Sequence, residues 1–147
     1  MGTVILVGWD DHDAARRALD RAIDEAKATD GRLVVAAVLE MPLDPTIPPN
    51  FATLDDLPAG PLDLAMPAEL EASLGHARDR IEQAGVEADY LWAAGDPADV
   101  ILQAARDQQA DLIVLGSHHH GFLGRLLGAD VAGAVKEHAG CDVIVAE

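Results

Sequence analysis

The sequence predicts an α/β protein, a single domain over residues 1–147 with one doubly wound, open parallel sheet of five strands in a Rossmann-like arrangement. Five apolar runs alternate with four stretches in which apolar residues recur at helical spacing. A βαβ order of this kind requires parallel pairing and right-handed crossovers. The runs at residues 4–7 and 112–115 are continuously apolar, as in strands buried on both faces. A chain of 147 residues, half of them hydrophobic, can form one core without disulfide bonds.

The first strand, residues 4–7, leads into a helix. Asp10, Asp11 or Asp13 can cap this helix, because a carboxylate oxygen accepts hydrogen bonds from the free N–H groups of a first turn. Apolar residues then recur at helical spacing until Gly31, which closes the unit.

The second strand, residues 33–39, is followed by a segment that breaks the pattern. Residues 40–66 contain six prolines and show no periodicity. A long segment of this composition inside a compact domain is typically a lid, a binding loop or a mobile connection. Pro67 then opens a second helix, where its missing N–H costs nothing, and Gly85 ends it.

Several residues typical of a helix N-terminus precede the third helix, which follows a strand at residues 86–93. Asp96 occupies the N-cap position, Pro97 the first helical position, and Asp99 stands three residues after the cap in a box-like arrangement. The remaining elements are a strand at residues 112–115, a helix at about residues 129–138 and a final strand at residues 142–146.

Charge and cysteine content exclude several classes of function. Ten Lys and Arg stand against 26 Asp and Glu, and the net charge of −16 disfavours binding to nucleic acid or to an anionic membrane surface. No apolar stretch approaches the ~20 residues of a membrane span. The single Cys141 cannot form an intramolecular bridge, which permits a reducing compartment. We therefore expect a cytoplasmic protein without nucleic-acid or membrane partners.

A candidate ligand site follows from the predicted topology. Ligands of open parallel sheets bind beyond the carboxyl ends of the strands, where the strand order reverses. This rule brings together Asp10, Val38 and the loop after Gly116. The loop is rich in glycine and connects a strand to a helix, which is the usual setting for binding a phosphate on backbone N–H groups.

Several motifs occur together with this order of elements. They are the strand-end Asp10, the phrase Gly95-Asp96-Pro97-Ala98, the run ADLIVLGSH at residues 110–118 and the closing run CDVIV at residues 141–145. Together they resemble the universal stress protein family over essentially the whole chain, with residues 40–66 as the uncharacteristic part. The resemblance implies an adenine nucleotide α-hydrolase-like fold with the sheet order 3-2-1-4-5. It also implies a homodimer paired through the last strand.

The resemblance further implies a test for ATP binding, because the family divides into members that bind ATP and members that do not. The dividing motif is Gly-x-x-Gly, nine residues, then Gly-Ser or Gly-Thr. Counted from Gly116, the second glycine is His119 and the terminal pair is Ala129 and Asp130. His119 hinders close approach to a phosphate, and Ala129 makes a positive φ less accessible. Asp130 repels a phosphate by ~1–4 kcal/mol at contact distance, so the nucleotide pocket is predicted to be degenerate.

These residues are compatible with two functions. The first is a dimeric stress-response or regulatory module that is not a strong ATP binder and acts through protein partners. The alternative is a switch with ATP or AMP as its ligand, because Asp10 matches the family's strand-end carboxylate, Val38 matches the second-strand residue beside the adenine, and Gly121 can replace the missing glycine. No Walker motif, nucleophile elbow or His-Glu-x-x-His is present, so we expect no enzyme activity beyond slow ATP hydrolysis in the alternative case.

Three consecutive histidines, His118, His119 and His120, lie in the same loop. Imidazole is a common zinc ligand, which makes a metal-responsive protein a third candidate. Consecutive residues point in different directions and lack the i,i+4 spacing of strong metal motifs, so we predict no metal site. In a further alternative, the protonated histidines bind an anion together with Arg125.

Overall fold

The computed structural model describes residues 2–10, 13–39, 52–53, 68–94, 96–116 and 131–146. Strands and helices alternate along these residues as the sequence predicts. In chain order they are β1 (Val4–Trp9), α1 (Asp13–Thr29), β2 (Arg32–Leu39), β3 (Ala52–Thr53), α2 (Ala68–Ala84), β4 (Ala88–Ala94), α3 (Pro97–Asp107), β5 (Leu112–Gly116), α4 (Val131–His138) and β6 (Asp142–Ala146).

The sheet has the strand order β3-β4-β2-β1-β5-β6. Its five longer strands pair in parallel, which confirms the predicted order 3-2-1-4-5 in an open α/β sheet. The added strand β3 lies within residues 40–66 and pairs antiparallel with β4, with Ala52 opposite Trp92. A strand of two residues leaves no periodic pattern in a sequence, and for that reason it was not predicted.

Each face of the sheet carries its own apolar core. On the face covered by α1 and α2, the core includes Val7, Leu19, Leu33, Leu74 and Ile81. On the opposite face, under α3 and α4, it includes Leu6, Val34, Ile101, Ile113 and Val135. Within the described ranges no polar or charged residue is fully buried, so apolar burial is the main source of stability.

The starts and ends of the helices follow local sequence rules. The Asp96 carboxylate accepts a hydrogen bond from the Asp99 backbone N–H at 3.2 Å, which confirms the predicted N-cap of α3. Gly85 ends α2 with a φ of 75°, also as predicted. At the end of α1 the left-handed residue is Asp30, with a φ of 53°, whereas Gly31 closes the turn through its N–H, which donates to the Ala26 carbonyl at 2.8 Å.

A left-handed residue also ends α3. Gln109 has a φ of 54°, and its N–H donates to the Arg106 carbonyl at 3.2 Å. The next N–H, that of Ala110, donates to the Ala105 carbonyl at 2.9 Å. The two bonds form a Schellman motif, in which glycine is preferred at the left-handed position.

We expect Gln109→Gly to stabilise the protein. A residue with a Cβ in the left-handed conformation costs roughly 1–2 kcal/mol, and glycine removes this strain. The greater conformational entropy of glycine in the unfolded chain offsets about 0.5–1 kcal/mol of the gain. A net gain of about 0.5–1 kcal/mol in the free energy of unfolding should raise the midpoint of urea denaturation. The neighbouring Gln108 has a φ of −91°, so Gln108→Gly is the matched control and should destabilise. An equal effect of the two substitutions would contradict the prediction.

Candidate functional site

Three of the predicted site residues lie at the carboxyl edge of the sheet. In the register of β1 and β2, Trp9 is opposite Ala37, so Asp10, one residue further along, is level with Val38. Gly116 ends β5, which pairs with β1 on its other side. Asp10, Val38 and Gly116 therefore stand at the ends of three adjacent strands, with the strand order reversing around β1.

The remaining predicted site residues lie outside the described residues. They are His119, Gly121, Ala129 and Asp130, and the same holds for His118, His120 and Arg125. The described part of the loop connection consists of Gly116 at the end of β5 and Val131 at the start of α4.

Asp10 and Val38 offer different chemistry at this edge. Asp10 is exposed, so its carboxylate can accept hydrogen bonds from a ligand. Val38 is half-buried and packs against the core under α3 and α4. Together, the Asp10 carboxylate offers a hydrogen-bond acceptor and Val38 offers an apolar surface. A planar ligand with polar groups at its edge needs both features.

Gly116 has a packing role that its sequence context did not reveal. A Cβ at this position would overlap the backbone carbonyl of Ala14 and lie 2.8 Å from the Ala14 Cβ. The first turn of α1 thus lies directly against the end of β5. Glycine is required here because the helix backbone occupies the space of a side chain, whatever ligand binds nearby.

Trp9 connects the site to helix α2. Its side chain is 4% exposed, and its indole Nε1–H donates to both the backbone carbonyl oxygen and the Oγ of Ser73, at 2.9 and 3.0 Å. Ser73 lies in the first half of α2. A serine in an amphipathic helix carries no local sequence signal of such a contact, so this contact could not be predicted from the sequence.

The outer strand β6 presents an incompletely covered apolar edge. Val143, Ile144 and Val145 are half-buried, whereas the equivalent central residues of β1 are fully buried. In α4, beside it, Val135 is the one fully buried residue of the described helix. An uncovered apolar edge strand is a surface for pairing with another chain.

Cys141 precedes β6 and is half-buried. Burial raises the pKa of its thiol, and the negative charges of Asp142 and Asp111 raise that pKa further. A raised pKa keeps the thiol protonated at neutral pH, and a protonated thiol is a poor nucleophile. The environment of Cys141 therefore favours a packing role over a reactive one.

Among the residues that the structure describes, no group of three His, Cys, Asp or Glu side chains could hold a metal ion. In the same residues, no helix combines the length and apolar character needed to cross a bilayer.

The strand order and the helices on both faces define a doubly wound, open α/β domain. A sequence model of the Universal stress protein family (Usp) matches residues 1–147, and the chain belongs to this family. The resemblance inferred from the sequence motifs is thereby confirmed.

Relatives match the chain over nearly its full length. A universal stress protein of Thermus aquaticus, named for its position in the QAH/OAS sulfhydrylase 3′ region, is 32% identical over 146 residues, or 99% of this chain and 98% of the relative. The solved structure of UspA from Lactobacillus plantarum is 26% identical, with a TM-score of 0.65 and coverage of 99% and 97%. A universal stress protein solved in complex with cAMP is also 26% identical, with a TM-score of 0.71 and the same coverage.

Proposed function

We propose that this universal stress protein is a dimeric regulatory module of the stress response whose site prefers adenine nucleotides with one phosphate over ATP. The observation that carries the proposal is the position of Asp10, Val38 and Gly116 at adjacent strand ends, beside a loop sequence that departs from the ATP-binding motif. The relative solved with cAMP supports a nucleotide of this class.

The adenosine half of the ligand would lie against Asp10 and Val38. An exposed carboxylate can accept hydrogen bonds from the amino group of adenine or from a ribose hydroxyl. The half-buried Val38 offers an apolar surface to the base. Both residues are level across the β1–β2 pair, so one ligand can reach them together.

The phosphate half would meet the loop that begins after Gly116. His119 and Asp130 stand where the ATP-binding motif has a glycine and a hydroxyl. Every added phosphate brings negative charge toward Asp130 and into the field of a chain with a net charge of −16. This charge opposes ATP more strongly than it opposes cAMP or AMP.

Calorimetric titration of nucleotide-stripped protein with cAMP, AMP and ATP, with Mg²⁺ present, tests the proposal. We expect ATP to bind at least about tenfold more weakly than cAMP or AMP, because a phosphate at contact distance from Asp130 is repelled by ~1–4 kcal/mol and ATP brings more negative charge there than the other two ligands do. The triple variant His119→Gly, Ala129→Gly, Asp130→Ser restores the motif and should strengthen ATP binding selectively. No heat with any nucleotide near millimolar concentration would refute the nucleotide site.

The dimer would form by pairing of β6 with its copy in a second chain. Val145 is a half-buried valine on the edge strand that belongs to neither core layer of the described residues. Substituting it should therefore affect association more than folding of the subunit.

We expect Val145→Asp to convert the dimer to a monomer, because two like charges would meet at the paired edge and an apolar contact would be lost. Analytical ultracentrifugation measures the outcome. Val145→Thr keeps the β-branched shape and should remain dimeric. A monomeric wild-type protein, or a Val145→Asp variant that stays dimeric, would show that β6 is not the interface.

We also propose that the protein acts by binding, in the cytoplasm and with protein partners, and not as an enzyme. The conversion of ATP to ADP, followed by chromatography, should proceed no faster with the protein than slow background turnover. Multiple turnovers that depend on Asp10 would overturn this part of the proposal.

A further inference from the structure

Two tryptophans lie in one row of the sheet, on the same face. Trp9 of β1 is opposite Ala37 of β2, and Ala37 is opposite Trp92 of β4. Both indoles belong to the core under α1 and α2, and they are almost equally buried, at 4% and 6% exposure. They differ in their hydrogen bonding. The Trp9 N–H is bound by Ser73, whereas the buried Nε1 of Trp92 has no hydrogen-bond partner among the described residues.

The Trp9 contact acts at the end of β1. Trp9 is the last residue of the strand, and Asp10 follows it directly. A buried indole held by two oxygens of Ser73 keeps one ring orientation, and a fixed ring restricts the backbone dihedral angles of its own residue. This contact with α2 is therefore placed to influence the direction in which Asp10 leaves the strand.

Helix α2, which carries Ser73, is packed against the sheet and paired with α1. Leu74, Ala77 and Ile81 are buried in the sheet core, with at most 1% exposure. Arg80 forms a two-pronged salt bridge with Asp20 of α1, with both N–O distances 2.7 Å. Ser73 thus lies one residue before the first of these buried side chains, on a helix tied both to the sheet and to α1.

We propose that Trp9 is a positioning residue, which couples the first half of α2 to Asp10 through its hydrogen bonds to Ser73. This inference rests on the proposed nucleotide site. Coupling between two sites is reciprocal, so a nucleotide at Asp10 stabilises the contact of α2 with the sheet, and that contact in turn increases nucleotide affinity.

The test compares Trp9→Phe with Trp92→Phe. Both substitutions shorten an indole of the same row and similar burial, but Trp9→Phe alone breaks a hydrogen bond. Titration with cAMP should show affinity reduced roughly 3- to 10-fold in Trp9→Phe, with the full net contribution of one hydrogen bond as the upper limit of the coupling, and unchanged in Trp92→Phe. Ser73→Ala keeps the carbonyl acceptor and should have a smaller effect than Trp9→Phe.

Amide hydrogen exchange distinguishes the coupling from a purely structural role of Trp9, which would not change the cAMP-dependent protection of α2. In the wild-type protein, cAMP should slow exchange in the first half of α2, and this protection should be lost in Trp9→Phe and kept in Trp92→Phe. Equal losses of affinity in the two variants, or unchanged cAMP-dependent protection of α2 in Trp9→Phe, would overturn the inference. Failure of the wild-type protein to bind cAMP would instead refute the proposed site. Without nucleotide, amide exchange in the first half of α2 should be faster in Trp9→Phe than in the wild-type protein, because the Trp9–Ser73 contact is lost. Unchanged exchange would overturn the coupling even if cAMP does not bind.

Discussion

Gly116→Ala should destabilise the protein by about 1–3 kcal/mol, as overpacking of a close contact does. The added methyl group would overlap the backbone of Ala14 at the first turn of α1, and backbone atoms cannot move away as a flexible side chain can. Either α1 or the end of β5 must shift. Urea denaturation monitored by circular dichroism measures the loss.

Gly75→Ala is the matched control for this substitution. Gly75 lies inside α2, and a Cβ built there meets nothing within 4 Å. Alanine is favoured over glycine in a helix interior by about 0.8–1 kcal/mol, so this variant should gain stability. If Gly116→Ala weakens nucleotide binding without loss of stability, the glycine serves the ligand and not the packing of α1.

Leu74→Ala should cost about 2–5 kcal/mol, the second large effect that we expect. Leu74 is completely buried where α2 meets the sheet, and its removal leaves a cavity in the core between them. For a chain of this size each kcal/mol lowers the melting temperature by roughly 2–4 °C, which calorimetry resolves readily.

Leu70→Ala removes the same atoms one helical turn earlier. Leu70 is partly buried against the same core, so its truncation loses less buried area and leaves a more open, solvated gap. We expect a clearly smaller loss than for Leu74→Ala. Equal losses at the two positions would mean that the burial difference between them does not determine the contribution of α2.

The Trp9 and Leu74 variants act on the same helix in separable ways. Leu74→Ala reduces the stability of the whole fold, whereas Trp9→Phe should act on the position of Asp10 and on nucleotide affinity. If affinity followed stability alone, Leu74→Ala would weaken cAMP binding more than Trp9→Phe does. The positioning role of Trp9 predicts the opposite order.

The candidate site could be predicted only in part. Asp10, Val38 and Gly116 follow from a topological rule, since parallel strands bring their carboxyl ends to one edge. The tie between Trp9 and Ser73 spans 64 residues of sequence and depends on how α2 lies on the sheet, which no local pattern encodes. The packing of Gly116 against Ala14 is likewise a contact between two elements that are distant in sequence.

The sequence by itself determined the class of fold, the five parallel strands, the cap at Asp96 and the end of α2 at Gly85. These features depend on hydrophobic periodicity and on backbone preferences that a few neighbouring residues express. Tertiary structure decided the rest: the short strand β3 and the different bonding of Trp9 and Trp92. Each depends on contacts between separate elements, whose energies arise only when the chain has packed.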